Sequence, residues 1–318
     1  LKSEQKGSLI MPLRWETCAK FLVGSHLMEL VQGFGLRVYD AESGKARTLQ
    51  EITDARWVAH TYSMWSPDGK WVAFTKDSDG FIHLYRVPAA GGEVSQITRG
   101  NWELDTERFA FAPQWVGERL FYASTEAGTN ERQYYSILPD GTGKTRLSRR
   151  EGINVGVVQE DGKNLALLEA DLTMPLDLFV NGERVTTSTR PEFSSFAWPE
   201  TRFVQFPARG DGATVKAKLL LPPGYDPAKK DGKKWPSVFF IHGAGIASSV
   251  LKQWGSYQDQ RYVYNSILAA QGYVVMDLDY RGSSGYGREW RTGVYLNMGG
   301  PDLDDVMGAV AFMRGLGN

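Results

Sequence analysis

The chain has 318 residues, with 36 basic and 37 acidic side chains and a net charge of −1. That length exceeds what one hydrophobic core usually supports and predicts about two domains of roughly 100–200 residues. The near-neutral balance, without a long single-sign run, argues against a nucleic-acid or membrane-surface role.

Aromatic residues at 12% and 35 glycines suit a β-rich chain with many turns. Cys18 is the one cysteine, so no intrachain disulfide can form. The sequence opens on Leu1, has no apolar signal core after Lys2, and contains no apolar run near 18 residues, so no membrane span is expected.

Residues 65–98, WSPDGKWVAFTKDSDGFIHLYRVPAAGGEVSQIT, read as a strand meander. A Pro-Asp-Gly turn leads into a strand at 71–75, and an Asp-Gly turn at 79–80 leads into a second at 82–87 before Gly91 and Gly92. The pattern recurs at 117–148 and 161–187, and aligning the turn glycines Gly69, Gly117 and Gly162 gives spacings of 48 and 45. That period matches a four-stranded propeller blade of about 40–50 residues. A weaker copy precedes them, from Ala19–Val23 through Leu36–Asp40 to Thr48. A β-sandwich of similar strands is the alternative, although a sandwich has no need of a fixed period. Three or four blades do not close a ring, since propellers carry about 4–8, so further blades are expected before Leu1.

Near residue 200 the repeat stops. Residues 202–225 predict a β-hairpin turning at Gly210-Asp211-Gly212, and from 235 onward the periodicity alternates between strand and helix. Strand 238–241 is followed by a helix at about 258–270, a strand at 273–279, the loop YRGSSGYG, and a helix at 301–314. The near-continuous apolar strands are those of a parallel sheet covered by helices. The last helix starts on Gly300-Pro301 with Asp302, Asp304 and Asp305 in its first turn, and its stripe Leu303, Val306, Val310 and Met313 is expected to face the core. The fold expected is therefore mixed: a partial β-propeller over 1–200, followed by an α/β domain over 201–318.

The loop that follows strand 238–241 is His242-Gly243-Ala244-Gly245. In α/β-hydrolases the turn after the third strand supplies one oxyanion-hole N–H, and HGGG-type loops are its sign. Glycines there let backbone N–H groups reach a substrate unobstructed. An ordinary glycine-rich turn remains the alternative reading of this loop taken alone. His26, His60, His83 and His242 have no ligand-like spacing, so no metal site is expected, and packing or turn roles are assigned to the first three. Gly143-Lys144-Thr145 has Leu138 where a phosphate loop needs glycine, and Gly285-Tyr286-Gly287 has Trp290 where a dinucleotide fingerprint needs its third glycine. Two Ser-x-x-Lys matches, Ser3 with Lys6 and Ser249 with Lys252, are chance. No cofactor is expected.

The motifs IHGAG at 241–245, GYVVMDLDYRGSSGYGREWR at 272–291 and GGPDLDDVMGAVAFM at 299–313, in this order after propeller repeats and a hairpin, resemble the prolyl oligopeptidase family of serine peptidases, especially its dipeptidyl peptidase IV-like and acylaminoacyl-peptidase branches. The resemblance implies that 201–318 is the N-terminal part of an α/β-hydrolase domain, and it implies hydrolysis of short peptides by a Ser-Asp-His triad, with the propeller screening out large folded substrates. The family's serine sits in G-x-S-x-G on the strand after the helix matching 301–314, yet residues 201–318 contain no such motif, since Gly282-Ser-Ser284-Gly-Tyr286 fails at its last position. The chain is accordingly expected to be an internal fragment of a serine-type peptidase, cut at both ends and inactive alone, with its triad beyond Asn318. An esterase on the same fold and a non-catalytic propeller scaffold are the alternatives.

Of the oxyanion machinery, the resemblance implies the Ala244 backbone N–H as donor, with His242 supporting the loop from behind where other members carry a Tyr hydroxyl. Arg281, Gly282 and Gly285 match a family loop beside the active site and are read as structural. The paired glutamates that hold a substrate amino terminus in dipeptidyl peptidases have only a poor counterpart in NWELDTE at 101–107. The expected partners are short peptides, with no nucleic acid and no membrane; homo-oligomerisation of the whole protein is left open. Strand 238–241 is expected to have an unpaired outer edge.

Overall fold

The computed structural model describes residues 21–28, 33–40, 42–59, 61–105, 111–226, 228–229, 233–245, 247–254 and 261–316. Cys18, His60, Thr106 and Glu107 lie outside them, as does the expected start of the helix at 258–260.

Four antiparallel meanders follow one another. The first contains β1 (Phe21–Met28), β2 (Gly33–Asp40) and β3 (Ala46–Thr53); the second β4 (Ser63–Trp65), β5 (Trp71–Lys76), β6 (His83–Pro88) and β7 (Ser95–Gln96). The third is β8 (Gln114–Val116), β9 (Arg119–Ser124), β10 (Gln133–Ile137) and β11 (Thr145–Arg146). The fourth is β12 (Ile153–Val158), β13 (Leu165–Ala170), β14 (Asp177–Val180) and β15 (Glu183–Arg184). Gly69, Gly117 and Gly162 all fall between the first and second strands of a four-stranded sheet, at φ 68°, 56° and 73°. The 48- and 45-residue spacings therefore mark equivalent turns that need a left-handed backbone.

Period-2 alternation explains how the blades stack. From β5, Val72 and Phe74 pack toward the first sheet with Leu36, Val38 and Ile52, whereas Ala73 points the other way, to Leu120 and Tyr122 of the third. In the third blade Tyr122 and Tyr135 face backward, while Ala123 and Tyr134 face forward onto Ile153, Val155 and Leu167. Each blade has two apolar faces and buries both only between neighbours. His83 is buried in this stack between Thr98 Oγ1 and the Gly100 carbonyl, each at 3.0 Å, a packing role as expected.

A different sheet begins at residue 200. Its order is β16 (Glu200–Pro207), β17 (Thr214–Leu221), β19 (Val274–Asp279), β18 (Ser237–Phe240), with α1 (Arg261–Ala270) between β18 and β19. Downstream come the single turn α2 (Arg288–Arg291) and α3 (Pro301–Gly315). Only β18 and β19 pair in parallel; the hairpin β16–β17 joins them antiparallel through β17. The sheet is thus mixed, and its central strands are less uniformly apolar than the expected parallel type. Val215, Ala217, Leu219, Val274, Met276 and Leu278 pack on one side with Ala309 and Met313 of α3. The other side sets Lys216 opposite Asp279 and Lys218 opposite Asp277, beneath α1 and the loop after β18.

The orientation of α3 matches the expected stripe in part: Met313 is in the core and Val306 packs against it, but the buried face is centred elsewhere. Leu303 is 46% exposed and Val306 and Val310 are half-buried, while Asp305, Gly308, Ala309 and Met313 form the buried face. Two contacts rotate the helix. Asp305 is drawn in to bind Arg281, and Gly308 lies so close to β16 that a Cβ there would sit 2.5 Å from the Pro207 carbonyl oxygen.

Charged contacts join the two sets of sheets. Arg291 pairs with Asp77 in a buried contact, and Arg288 pairs with Asp54. Lys252 Nζ reaches Glu131 at 2.6 Å and Glu151 at 3.0 Å, and the Trp254 N–H donates to the Asp171 carbonyl at 2.6 Å. No described helix is long and apolar enough to cross a membrane.

Candidate active site

Parallel pairing of β18 and β19 brings their carboxyl ends side by side, with Phe240 in register with Asp277. The loops 241–250 and 280–287 leave from that one edge, where α/β sheets usually place their ligands. Both loops are glycine-rich because they make close backbone approaches. Gly245 N–H donates to the Gly282 carbonyl at 2.5 Å, and a Cβ on Gly282, at φ 109°, would stand 3.0 Å from the Ala244 Cβ.

His242 turns inward. Its side chain is 2% exposed, with Nδ1 2.8 Å from the Gly243 carbonyl oxygen and Nε2 3.1 Å from Asp279 Oδ1. Both ring nitrogens thus face acceptors, and an imidazole satisfies both only as the doubly protonated cation. Burial pushes its pKa down, but the hydrogen bond and charge of Asp279 outweigh it, and the net position is above the ordinary 6.5. The Tyr280 hydroxyl donates to the His242 carbonyl.

Ser283 Oγ also lies 3.1 Å from His242 Nε2, so a serine, a histidine and an aspartate meet here. They do not form a hydrolytic triad. Ser283 and Asp279 share one ring nitrogen, whereas a triad uses both, and Ser283, fully buried, donates its hydroxyl proton to the Tyr280 carbonyl at 2.6 Å. The cluster is a structural brace. Asp279 completes it by accepting the Ser249 N–H at 2.7 Å, the Val250 N–H at 3.3 Å and the Tyr286 hydroxyl at 2.8 Å. A buried carboxylate needs this many donors.

The front of the loop is open by comparison. Gly243 is exposed, Ala244 and Gly245 are half-buried, and the Ala244 N–H meets no acceptor among the described residues. The other expected loop residues are structural in their contacts. Arg281 reaches Asp305 Oδ1 at 2.7 Å and the Pro301 carbonyl at 3.1 Å, and also pairs with Asp211. Gly285 N–H donates to Oε1 of Glu103, in the connection between the second and third blades, at 2.7 Å. Lys218, Asp277 and Asn265 make a second buried network: Lys218 Nζ donates to the Ser249 carbonyl at 3.0 Å and lies 3.3 Å from Asp277, which also accepts Asn265 at 2.7 Å. Burial raises the Asp277 pKa despite the opposing charge of Lys218. Among the described residues no cluster of three or more His, Cys, Asp or Glu side chains could hold a metal ion.

Asp279 and Tyr286 were not singled out from the sequence, and Glu103 was weighed only as a poor counterpart of a substrate-binding glutamate. The signal was present in part: Asp277 and Asp279 alternate in an apolar strand, as Lys216 and Lys218 do in β17. The antiparallel register that sets each acid against a lysine is not readable from either strand alone.

Residues 3–173 match the family described as the dipeptidyl peptidase IV (DPP IV) N-terminal region, and residues 260–317 match the prolyl oligopeptidase family. A probable dipeptidyl peptidase 4 of Aspergillus flavus is 27% identical over 249 residues, covering 72% of this chain and 30% of that protein. A probable dipeptidyl-aminopeptidase B of Aspergillus clavatus is 28% identical over 277 residues, covering 83% of this chain and 29% of that one. The chain thus spans about a third or less of the length of these curated relatives. The crystal structure of Porphyromonas gingivalis dipeptidyl peptidase 4 superposes with a TM-score of 0.79 at 21% identity, over 96% of this chain and 42% of that one. Blades followed by the opening strands of a hydrolase sheet are the architecture held in common. The chain belongs to the prolyl oligopeptidase family, in its dipeptidyl peptidase IV-like branch.

Proposed function

We propose that this chain is part of a serine-type peptidase that hydrolyses peptide bonds of short peptides, with a Ser-Asp-His triad lying outside these 318 residues. The observation that carries the reading is the pair of family matches, one over the blades and one over the hydrolase segment, in the order of the relatives. We place the domain boundary at 200/201, with the partial propeller before it and the peptidase domain after it. The Ala244 N–H is the oxyanion donor, on a loop that His242 supports from behind. One such donor stabilises the transition state by about 3–4 kcal/mol. It cannot replace a nucleophile and base, so the 318-residue chain alone is inactive.

Release of dipeptides is the specificity suggested by the relatives' names. The reading is tested on the full-length protein with a fluorophosphonate probe and with aminoacyl-anilides against short acyl esters. Covalent labelling and faster anilide turnover are expected. Preference for esters would favour an esterase on the same scaffold, and absence of labelling would leave a propeller that binds without catalysis.

A further inference from the structure

The brace behind loop 242–250 does not end within the hydrolase sheet. Asp279 holds this loop at both ends, through His242 Nε2 on one side and the Ser249 and Val250 N–H groups on the other. Asp279 is itself held by the Tyr286 hydroxyl at 2.8 Å. Burial pushes the Tyr286 phenol well above its ordinary pKa, so it stays protonated and donates. Tyr286 follows Gly285 directly, and the Gly285 N–H is bound at 2.7 Å by Glu103 Oε1.

Glu103 lies in the connection between β7 and β8, where its neighbour Leu104 donates its N–H to the Ile82 carbonyl of the second blade and Glu103 itself is tied to the end of β9 in the third. Glu103 is 2% exposed, its carbonyl accepts the Thr125 N–H at 2.9 Å, and Leu104 bridges to Ser124 at the end of β9. The third blade supplies Thr129, whose hydroxyl accepts Lys216 Nζ at 2.9 Å, and Lys216 lies 5.6 Å from the Tyr286 ring centroid. A continuous path therefore runs from the Glu103 carboxylate through one backbone amide, one half-buried phenol and one buried carboxylate to the loop bearing Ala244. Other contacts, Arg291 with Asp77 and Arg288 with Asp54 among them, join the two units without involving this path.

We propose that Glu103 is a positioning residue: by fixing Gly285 it aims Tyr286 at Asp279, so that the connection between the second and third blades sets the conformation of loop 242–250. The proposal deepens the oxyanion reading of that loop, but its readout is the loop's own order. Amide hydrogen exchange of the 318-residue chain measures it without catalytic activity.

Glu103→Ala is expected to speed exchange at Ser249 and Val250 by about tenfold or more, the scale of one lost buried hydrogen bond. Glu103→Gln keeps an acceptor oxygen and is expected to restore the protection. Tyr286→Phe should reproduce the loss, and the double variant with Glu103→Ala should exchange no faster than the quicker single one, because the two residues act in series. Arg56→Ala removes the interface contacts to Glu289 and Thr292 and should leave Ser249 and Val250 unchanged. Unaltered protection in Glu103→Ala, or equal acceleration by Arg56→Ala, would overturn the proposal. If Glu103→Ala loosens the whole chain, Tyr286→Phe decides: wild-type exchange at the two amides would sink it. Absence of turnover in the full-length protein would count against the peptidase reading and leave this result standing.

Discussion

At His242 a buried imidazolium and a buried carboxylate stabilise each other only while both are charged. The folded pKa of His242 lies above its unfolded value, so its contribution is fully present below about pH 6.5 and is lost as pH rises through the folded value. The difference in unfolding free energy between wild type and His242→Gln should therefore shrink as pH is raised from 6.5, and be flat below it; urea titrations across pH check this. A difference that grew with pH would mean that His242 is neutral in the fold. Gly308 poses a different balance. Alanine is favoured over glycine in a helix interior by about 1 kcal/mol, whereas overpacking a tight contact costs about 1–3 kcal/mol. With backbone at 2.5 Å from the added methyl, the steric cost wins, and Gly308→Ala should lose about 1–2 kcal/mol. Gly315→Ala, with nothing within 4 Å, should lose none. Thermal unfolding of the two variants distinguishes a packing glycine from a permissive one.

At the scale of elements, β18 is paired on one side only among the described residues, since the sheet order ends β17-β19-β18. Beside it a cleft of about 460 Å³ between β18 and α3 is lined by Trp235, Phe239, Val310 and Met313. An open apolar edge templates pairing with another chain. The 318-residue chain should self-associate with rising concentration in sedimentation experiments, and Val238→Lys should reduce it. A monodisperse wild-type chain would contradict this. The elements themselves were legible in the sequence where turn chemistry and alternation agreed: the three equivalent turn glycines, the hairpin at Gly210-Asp211-Gly212, and both long helices emerge where expected. The face of α3 was legible only in part: Met313 and Val306 of the expected stripe pack on the core, but Leu303 is exposed, because apolar periodicity assumes that the buried side is the apolar one. Here a buried Asp305 bound to Arg281 and a bare Gly308 against β16 select the face instead. Neither partner is local in sequence, so no window over the helix could have revealed them. For the same reason the HGAG loop was visible as a candidate site, whereas the Asp279 brace behind it was not.

Over the whole molecule, the blades and the hydrolase sheet are joined by charged groups with little exposure on at least one side: Arg291 with Asp77, Lys252 with Glu131, and Glu103 on the Gly285 amide. Breaking a buried pair by removing one partner costs about 3–5 kcal/mol, so these contacts hold the two units in one arrangement more than they add net stability. That arrangement suits a peptidase whose propeller stands over its active site, the function proposed for the complete protein. The most direct test of that claim is to read the coding sequence downstream of codon 318. A G-x-S-x-G is expected on the next strand, with Asp and His farther on in that order; a stop codon, or an elbow without serine, would rule out a serine peptidase.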